Sequence, residues 1–325
     1  MTDRNTIRFS DSDRGIRAAL SFLRKGGLVA FPTETVYGLG ADARIERAVA
    51  SIYSAKGRPA HNPVIVHVAD AAAANALINL PEAGQKAAQL FWPGPLTLVA
   101  PVKPDSDVAP ICRAGAETLA VRVPAHRLAR ALLAGFSGPI AAPSANRSGQ
   151  VSPTTADHVM EELTGRIDGV IDGGPCEVGL ESTILGFDDD GTPRLLRPGG
   201  ISIEALEKAL GPIRSDAITD DKTPNAPGQL SSHYAPGAKL RLDADAPALD
   251  EAWLGFGPNP ERSSAITLNL SISGDIEEAG SNLFAALRQL DEWLEGSGTI
   301  AVATIPDEGL GRAINDRLKR AAAPR

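Results

Sequence analysis

Two cysteines in 325 residues, Cys112 and Cys176, are too few and too far apart for a disulfide framework or a cysteine-rich zinc site. A reducing compartment suits such a chain. No run of about 18 apolar residues occurs, and the opening MTDRNTIRFSDSDR has no apolar stretch of the kind a secretory leader carries, so a cytoplasmic location is expected. Familiar catalytic signatures are also missing: there is no G-x-x-x-x-G-K-[ST] phosphate loop, no G-x-S-x-G elbow and no H-E-x-x-H pair. Nor is there a broad basic face. The net charge is −8; residues 239–325 hold 9 Lys+Arg against 14 Asp+Glu, and residues 1–212 hold 21 against 23. General nucleic-acid affinity, which needs many phosphate contacts, is not expected of such a surface.

What is present is an ordinary aliphatic core. Hydrophobic residues make up 43% of the chain and charged residues 22%, the range of a globular protein, and the length suggests two domains. Ile16, Ala19, Leu20 and Leu23 recur at helical spacing and run into Lys25-Gly26-Gly27, a cationic last turn with a glycine stop. LVAF then reads as a strand. Ile45, Ala48, Val49, Ile52 and Tyr53 form a second one-sided stripe, which KGRP interrupts because Gly57 favours a C-cap and Pro59 cannot continue a helix. Lys56 and Arg58 are therefore expected on a loop. PVIVHV, LTLVA, LAVRV, PIAA, STILGF and RLLRP read as short strands, several apolar enough to be buried on both faces, with helices near 81–91, 126–134, 154–163 and 202–210. These elements predict an α/β domain over residues 1–212. Periodicity vanishes over 211–237, where Pro, Gly, Asp, Ser and Thr dominate, so residues 213–238 are expected to form a linker. Beyond it, AWLGFG and SAITLNL as strands, a long helix marked by Ile276, Leu283, Phe284, Leu287, Leu290 and Leu294, the strand TIAVATI and a last helix near 308–322 predict a smaller α/β layer over 239–325.

GLGADA, residues 38–43, matches the G-x-G-x-x-A dinucleotide pattern, but PTETVY separates it from the preceding strand and no acidic ribose ligand follows about 20 residues on. The context argues against a nicotinamide site. PTETVYGLGADA as a whole reads as a hydroxyl-rich loop after the first strand of the sheet, at the end where α/β proteins place ligands; Thr33 and Thr35 either cap a turn or bind. Lys56 and Arg58 flank one glycine, a pair that alone would read as solvated, with Asn62 and His67 nearby. His67, inside an apolar strand, is either a satisfied core residue or a ligand contact. Arg122, in the middle of LAVRV, needs an anion or an internal ion pair. PIAAPSANRSGQVSP places Ser144, Asn146, Ser148 and Ser152 on a loop whose amides and hydroxyls suit phosphate or ribose. GLESTILGF contributes Ser182, and RLLRPGG contributes Arg197 at a strand end. Each signal is weak alone. Together they gather cations and hydroxyls at loops flanking one sheet, which points to a site for a polyanion beside a small polar substrate.

In this order, FPTETVYGLG, SIYSAKGRPAHNPVIVHV, FWPGPLTLV, PIAAPSANRSGQVSPT, LESTI and LLRPGGIS resemble the YrdC-type threonylcarbamoyl-AMP synthases over residues 15–212. PGQLSSHYAP and GLGRAINDRLKRAA resemble the linker and final helix of that family's long, two-domain form. The resemblance implies a YrdC-like α/β fold, a twisted mixed sheet with helices, followed by a smaller Rossmann-like α/β domain. It implies a nucleotidyltransferase that condenses L-threonine, bicarbonate and ATP into threonylcarbamoyl-AMP with release of pyrophosphate. Mg2+ would ride on the ATP phosphates without direct protein ligands, and the product would pass to a separate transferase complex that modifies tRNA. Carried over by motif, Thr35, His67, Arg122 and Ser182 surround threonine, with Arg122 on its carboxylate. Lys56 and Arg58 are the catalytic cations, and Arg58, Asn62, Thr118, Ala142, Ser144, Asn146, Ser152 and Arg197 bind ATP. The alternative is a double-stranded RNA or tRNA-binding module of the same fold without adenylating activity, which the missing basic face disfavours.

The segment APGQLSSHYAP, residues 226–236, sets one of five histidines beside one of three tyrosines. It follows soon after the strand end that carries Arg197, so Tyr234 is expected to lie against the nucleotide as part of a lid. A tether packed on either domain is the plainer reading.

Overall fold

Strands too apolar to face water on either side require a sheet covered by helices on both faces, and the computed structural model shows one. It describes residues 4–59, 62–215, 233–261 and 264–324. In chain order the first domain runs β1 (Ile7–Phe9), α1 (Asp13–Arg24), β2 (Val29–Phe31), β3 (Gly38–Asp42), α2 (Glu46–Lys56), β4 (Val66–His67), α3 (Ala71–Leu77), α4 (Glu82–Phe91), β5 (Leu96–Pro101), a 3-10 turn (Pro110–Arg113), β6 (Thr118–Arg122), α5 (Arg127–Phe136), β7 (Ile140–Ala141), α6 (Ala156–Leu163), β8 (Gly169–Ile171), β9 (Thr183–Phe187), β10 (Pro193–Arg197) and α7 (Ile203–Leu210). Among the described residues the strands lie in the order β1-β8-β2-β3-β7-β4-β6-β5-β9-β10. Parallel pairs such as β4–β6 and β5–β9 alternate with antiparallel ones such as β2–β3 and β5–β6, giving a mixed sheet.

Successive side chains along a strand point to opposite faces, and the core divides accordingly. Val29 and Phe31 meet Leu20 and Leu23 of α1 and Leu132 and Leu133 of α5, whereas Ala30, Leu39 and Val66 meet Val49 and Ile52 of α2 and Val159 and Leu163 of α6. Each such Val, Leu, Ile or Phe side chain contributes about 1.5–3 kcal/mol on burial. Register then fixes the position of the polar groups. His67 stands opposite Arg122, and Arg122 opposite Thr97, while Leu96 pairs with Thr183, the residue after Ser182. Four polar side chains thus collect where neighbouring strands end or begin.

Several elements differ from the sequence expectation. GLGAD, expected as part of the loop PTETVYGLGADA, is a strand, β3, hairpinned to β2; its two glycines hide a strand because glycine is depleted in sheets. Lys56 is the last residue of α2 and not a loop residue. β1, α3 and β8 lie outside the sequence-derived elements.

The second domain comprises β11 (Lys239–Ala244), β12 (Ala252–Gly255), β13 (Thr267–Asn269), α8 (Ile276–Trp293), β14 (Thr299–Ala303) and α9 (Gly311–Ala322). Its strands run β11-β14-β12-β13 and every recorded pair is parallel. This sheet is not independent of the first domain. Val36, Val151 and Leu180 share one apolar cluster with Tyr234, Leu283 and Phe284. Gly179 has φ +68, and a Cβ there would lie 2.5 Å from the Ser281 carbonyl oxygen, so only glycine allows α8 to approach this closely. Arg288 of α8 also donates to the Val151 carbonyl and pairs with Glu162.

The expected linker is fastened at both described ends. The Leu195 amide donates to the Arg214 carbonyl (2.7 Å) and the Arg214 amide to that of Pro193 (3.0 Å), so Arg214 extends the sheet edge. The Gly237 and Ala238 amides donate to the Asp291 carboxylate at 2.8 and 2.7 Å. The part of the expected lid between them, residues 216–232, lies outside the described residues. Among the described residues no helix is long and apolar enough to cross a membrane.

Candidate active site

The Lys56-Gly57-Arg58 turn is built by a helix end. Gly57 adopts φ 63 and ψ 34, the left-handed C-cap, and the chain reverses so that the cations on either side both point inward. Lys56 is 2% exposed and Arg58 8%. The Lys56 Nζ donates to the carbonyls of Ser144 (2.6 Å) and Asn146; Arg58 donates from Nε to the Asn62 carbonyl (3.3 Å) and from Nη2 to that of Pro63 (2.8 Å). All of these acceptors are neutral. Burial, reinforced by the nearby Arg58 charge, pushes the Lys56 ammonium well below its usual range, and burial brings Arg58 down to about 10. Buried cations facing only neutral oxygens form a site electrostatically prepared for an anion.

Arg122 has an internal partner that sequence reasoning did not name. Its Nη2 donates to Glu34 Oε1 (2.5 Å), its Nη1 to Thr35 Oγ1 (2.8 Å) and its Nε to the Gly94 carbonyl (3.2 Å). The ion pair is buried on both sides, and the other Glu34 oxygen accepts from the Ala125 amide (3.0 Å). Burial works to raise the Glu34 carboxyl, but the Arg122 charge and hydrogen bonds hold it below its usual range. Beside this pair, Ser182 Oγ and Thr97 Oγ1 share a hydrogen bond of 2.7 Å, and Arg197 Nη2 donates to the Ser182 carbonyl (2.8 Å). His67 is enclosed; burial, then the Arg122 charge, pushes its imidazole down to about 3, so it is neutral.

These groups lie in or against the walls of a small cavity of about 50 Å³. Its lining contains all four residues expected around threonine, Thr35, His67, Arg122 and Ser182, and five of those expected at the nucleotide, Arg58, Ala142, Ser144, Arg197 and Tyr234. Lys56 and Asn146 join the wall from behind: Ser144 Oγ donates to Asn146 Oδ1 (2.5 Å), and Lys56 bonds both backbones. Ser152 reaches the site through Glu181, to which its Oγ donates (2.6 Å). Asn62 is 1% exposed, and neither polar atom of its side-chain amide has a partner among the described residues. Thr118 is not in the lining. It begins β6 while Arg122 ends it, a separation of about 13 Å at a strand rise of about 3.3 Å per residue.

Tyr234 sits between the cavity and the second domain. It lines the cavity and is 1% exposed, yet its ring stacks on Phe284 of the second domain at 5.5 Å and lies 4.0 Å from the His233 ring. Its φ of 62 is left-handed, an uncommon state for a non-glycine residue that the packing must hold in place. The Ala235 amide donates to the Gly149 carbonyl (2.9 Å) and the His233 amide to that of Arg320 (3.3 Å), tying this short stretch to both domains. Also unforeseen are Glu181, which lines the cavity, and its partner Arg317 at 2.9 Å. Each had a visible signal, a charge inside an apolar pattern: Glu181 within GLESTIL and Arg317 in the stripe Ala313, Ile314, Leu318, Ala321. No group of three or more His, Cys, Asp or Glu suited to a metal occurs among the described residues.

A mixed α/β sheet with enclosed, anion-ready cations at one end, roofed by a second α/β domain, defines a protein built to hold a polyanion next to a small polar molecule. Comparison with known proteins makes this specific. The family model described as "Telomere recombination" matches residues 21–199, and the one described as "Threonylcarbamoyl-AMP synthase, C-terminal domain" matches residues 201–323. The threonylcarbamoyl-AMP synthase of Bacillus subtilis is 42% identical, covering 98% of this chain and 96% of its own. The Pyrococcus abyssi Sua5 structure, described as complexed with L-threonine, is 39% identical with a TM-score of 0.88, covering 98% and 97% of the two chains. A putative threonylcarbamoyl-AMP synthase from Mycobacterium tuberculosis is 38% identical over 199 residues, covering 61% of this chain and 90% of its own. The chain belongs to the threonylcarbamoyl-AMP synthase family, in its two-domain form.

Proposed function

We propose that the cavity condenses L-threonine, bicarbonate and ATP into L-threonylcarbamoyl-AMP and pyrophosphate. The observation that carries this reading is the enclosure of Lys56 and Arg58 with neutral partners beside a cavity that also holds Arg122, Arg197 and His67. Threonine lies among Thr35, His67, Arg122 and Ser182. A guanidinium has five N–H groups, and three of Arg122's are engaged by Gly94, Thr35 and Glu34, which leaves two for a carboxylate. Glu34 keeps Arg122 oriented while taking one of its five donors. His67, neutral, offers a hydrogen bond without a charge that would repel the threonine amine.

The amine combines with bicarbonate, losing water, to give a carbamate. A carbamate oxygen then attacks the α-phosphorus, the bond from that phosphorus to the bridging oxygen breaks, and pyrophosphate leaves with the electron pair. Negative charge accumulates at both steps, and Lys56 and Arg58, already desolvated, hold it without reorganisation. Arg58, Asn62, Thr118, Ala142, Ser144, Asn146, Ser152, Arg197 and Tyr234 are assigned to ATP; the Asn62 amide, without a partner among the described residues, could take a polar edge. Mg2+ would be held by the ATP phosphates and water, without a direct protein ligand, near Ser144 and Asn146, and would supply charge to neutralise the departing pyrophosphate. The product is a reactive mixed anhydride, suited to immediate consumption by an enzyme that acylates tRNA, and an ATP-dependent reaction with two unpaired cysteines fits the cytoplasm. Lys56→Ala and Arg58→Ala should each fold normally and lose at least tenfold in threonine-dependent pyrophosphate release, from charge-assisted bonds of about 1.5–3 kcal/mol. Full activity in both variants, or no acyl adenylate by mass spectrometry of a wild-type reaction, would refute the assignment.

A further inference from the structure

Arg317 lies in the second domain, yet its side chain is fully buried against the first. Its Nε donates to Glu181 Oε2 (2.9 Å) and its Nη1 to the Pro198 carbonyl (2.9 Å) as well as to Asp316 (2.7 Å). Glu181 immediately precedes Ser182, and Pro198 immediately follows Arg197. One guanidinium therefore grips both chain segments from which the Ser182–Arg197 contact is made. Its carbon also lies 5.4 Å from the centre of the Tyr234 ring, within reach of a cation–π attraction. Through Glu181, which accepts from Ser152, it reaches a fourth segment of the wall.

Glu181 is an awkward residue in such a place. A carboxylate in the lining of a polyphosphate cavity repels its ligand unless a cation cancels it. Burial works to raise the Glu181 carboxyl, but Arg317, then Arg197, holds it ionised and below its usual range. Without Arg317, Arg197 is left as a cation acting on Glu181, and a guanidinium drawn to Glu181 is lost to the nucleotide.

We propose that Arg317 is a positioning residue of this cavity, supplied by the second domain: it neutralises Glu181 so that Arg197 stays available to the nucleotide, and it holds Tyr234 and the Ser182–Arg197 contact in place. The inference rests on the proposed reading that the cavity takes ATP. It gives the second domain a definite task, that of cancelling a charge in the wall of the first.

The test is equilibrium binding of ATP and of threonine to full-length wild type, Arg317→Gln, Glu181→Gln and the double variant, with thermal unfolding of each. Arg317→Gln should weaken ATP binding at least tenfold while threonine binding changes less. Adding Glu181→Gln should restore ATP affinity to within about threefold of wild type, because the uncancelled carboxylate is gone. A purely structural role predicts the reverse, a double variant no better than Arg317→Gln. Should Arg317→Gln fail to fold, Glu181→Gln alone decides: its unfolding temperature should fall, because Arg317 loses its partner, while ATP binds at least as tightly as in wild type. Unchanged ATP affinity in Arg317→Gln, no rescue in the double variant, or tenfold weaker ATP binding in Glu181→Gln would overturn the role of Arg317. A wild-type protein that binds no ATP would instead remove the reading beneath it.

Discussion

His67 and His233 are both enclosed, and burial pushes each imidazole down to about 3 from an ordinary 6.5. The unfolded chain therefore binds more protons than the folded one between these values, so stability is full above pH 6.5 and is lost as pH falls toward 3, with a slope of up to about 1.4 kcal/mol per pH unit for each ring. Thermal unfolding from pH 7 to 4 should show this acid-side loss, and His67 ring resonances should stay flat from pH 8 to 5. A His67 midpoint near 6 would contradict its burial. At this scale the sequence showed needs better than partners. That Arg122 requires an anion follows from its place in an apolar strand, but Glu34 lies 88 residues away, and only the register of β4, β5 and β6 with the turn after β2 brings the two together.

Helices were the most legible elements, since a period of 3.6 is visible over α1 and α8 whatever they pack against. Short strands were less so. β3 is masked by its glycines, and β1 and β8, three residues each, are too short to show alternation. The clustering of site residues at strand ends was foreseeable from the loops that carry them, whereas the seam with α8 was not, because pattern reveals an apolar face and not what covers it. Phe284 tests that seam. It is completely buried and stacks on Tyr234, so Phe284→Ala should cost about 3–5 kcal/mol in denaturant unfolding and weaken ATP binding by releasing the Tyr234 ring. Loss of stability with unaltered ATP affinity would separate Tyr234 from the nucleotide.

The loss of periodicity after Gly211 marked two domains, but the molecule is joined more firmly than a tether implies. Val36, Val151 and Leu180 are covered from the second domain, and Arg317 and Arg288 cross the boundary. A chain ended after Ser215 keeps the Arg214 pairing to β10. It should retain its α/β circular dichroism spectrum, expose these apolar residues to a hydrophobic dye, and bind ATP at least tenfold more weakly than the full chain; equal affinity would deny the second domain any part in the cavity.

Cys112 and Cys176 are both buried, and burial pushes their thiols up, Cys112 to about 12. Thiolate is the form that alkylating reagents attack, so the native chain gives such reagents almost nothing to react with. A single cysteine engineered onto the surface near Tyr234 would then be the one labelling handle, and the movement of that segment during turnover could be followed with one fluorophore in an otherwise unaltered protein.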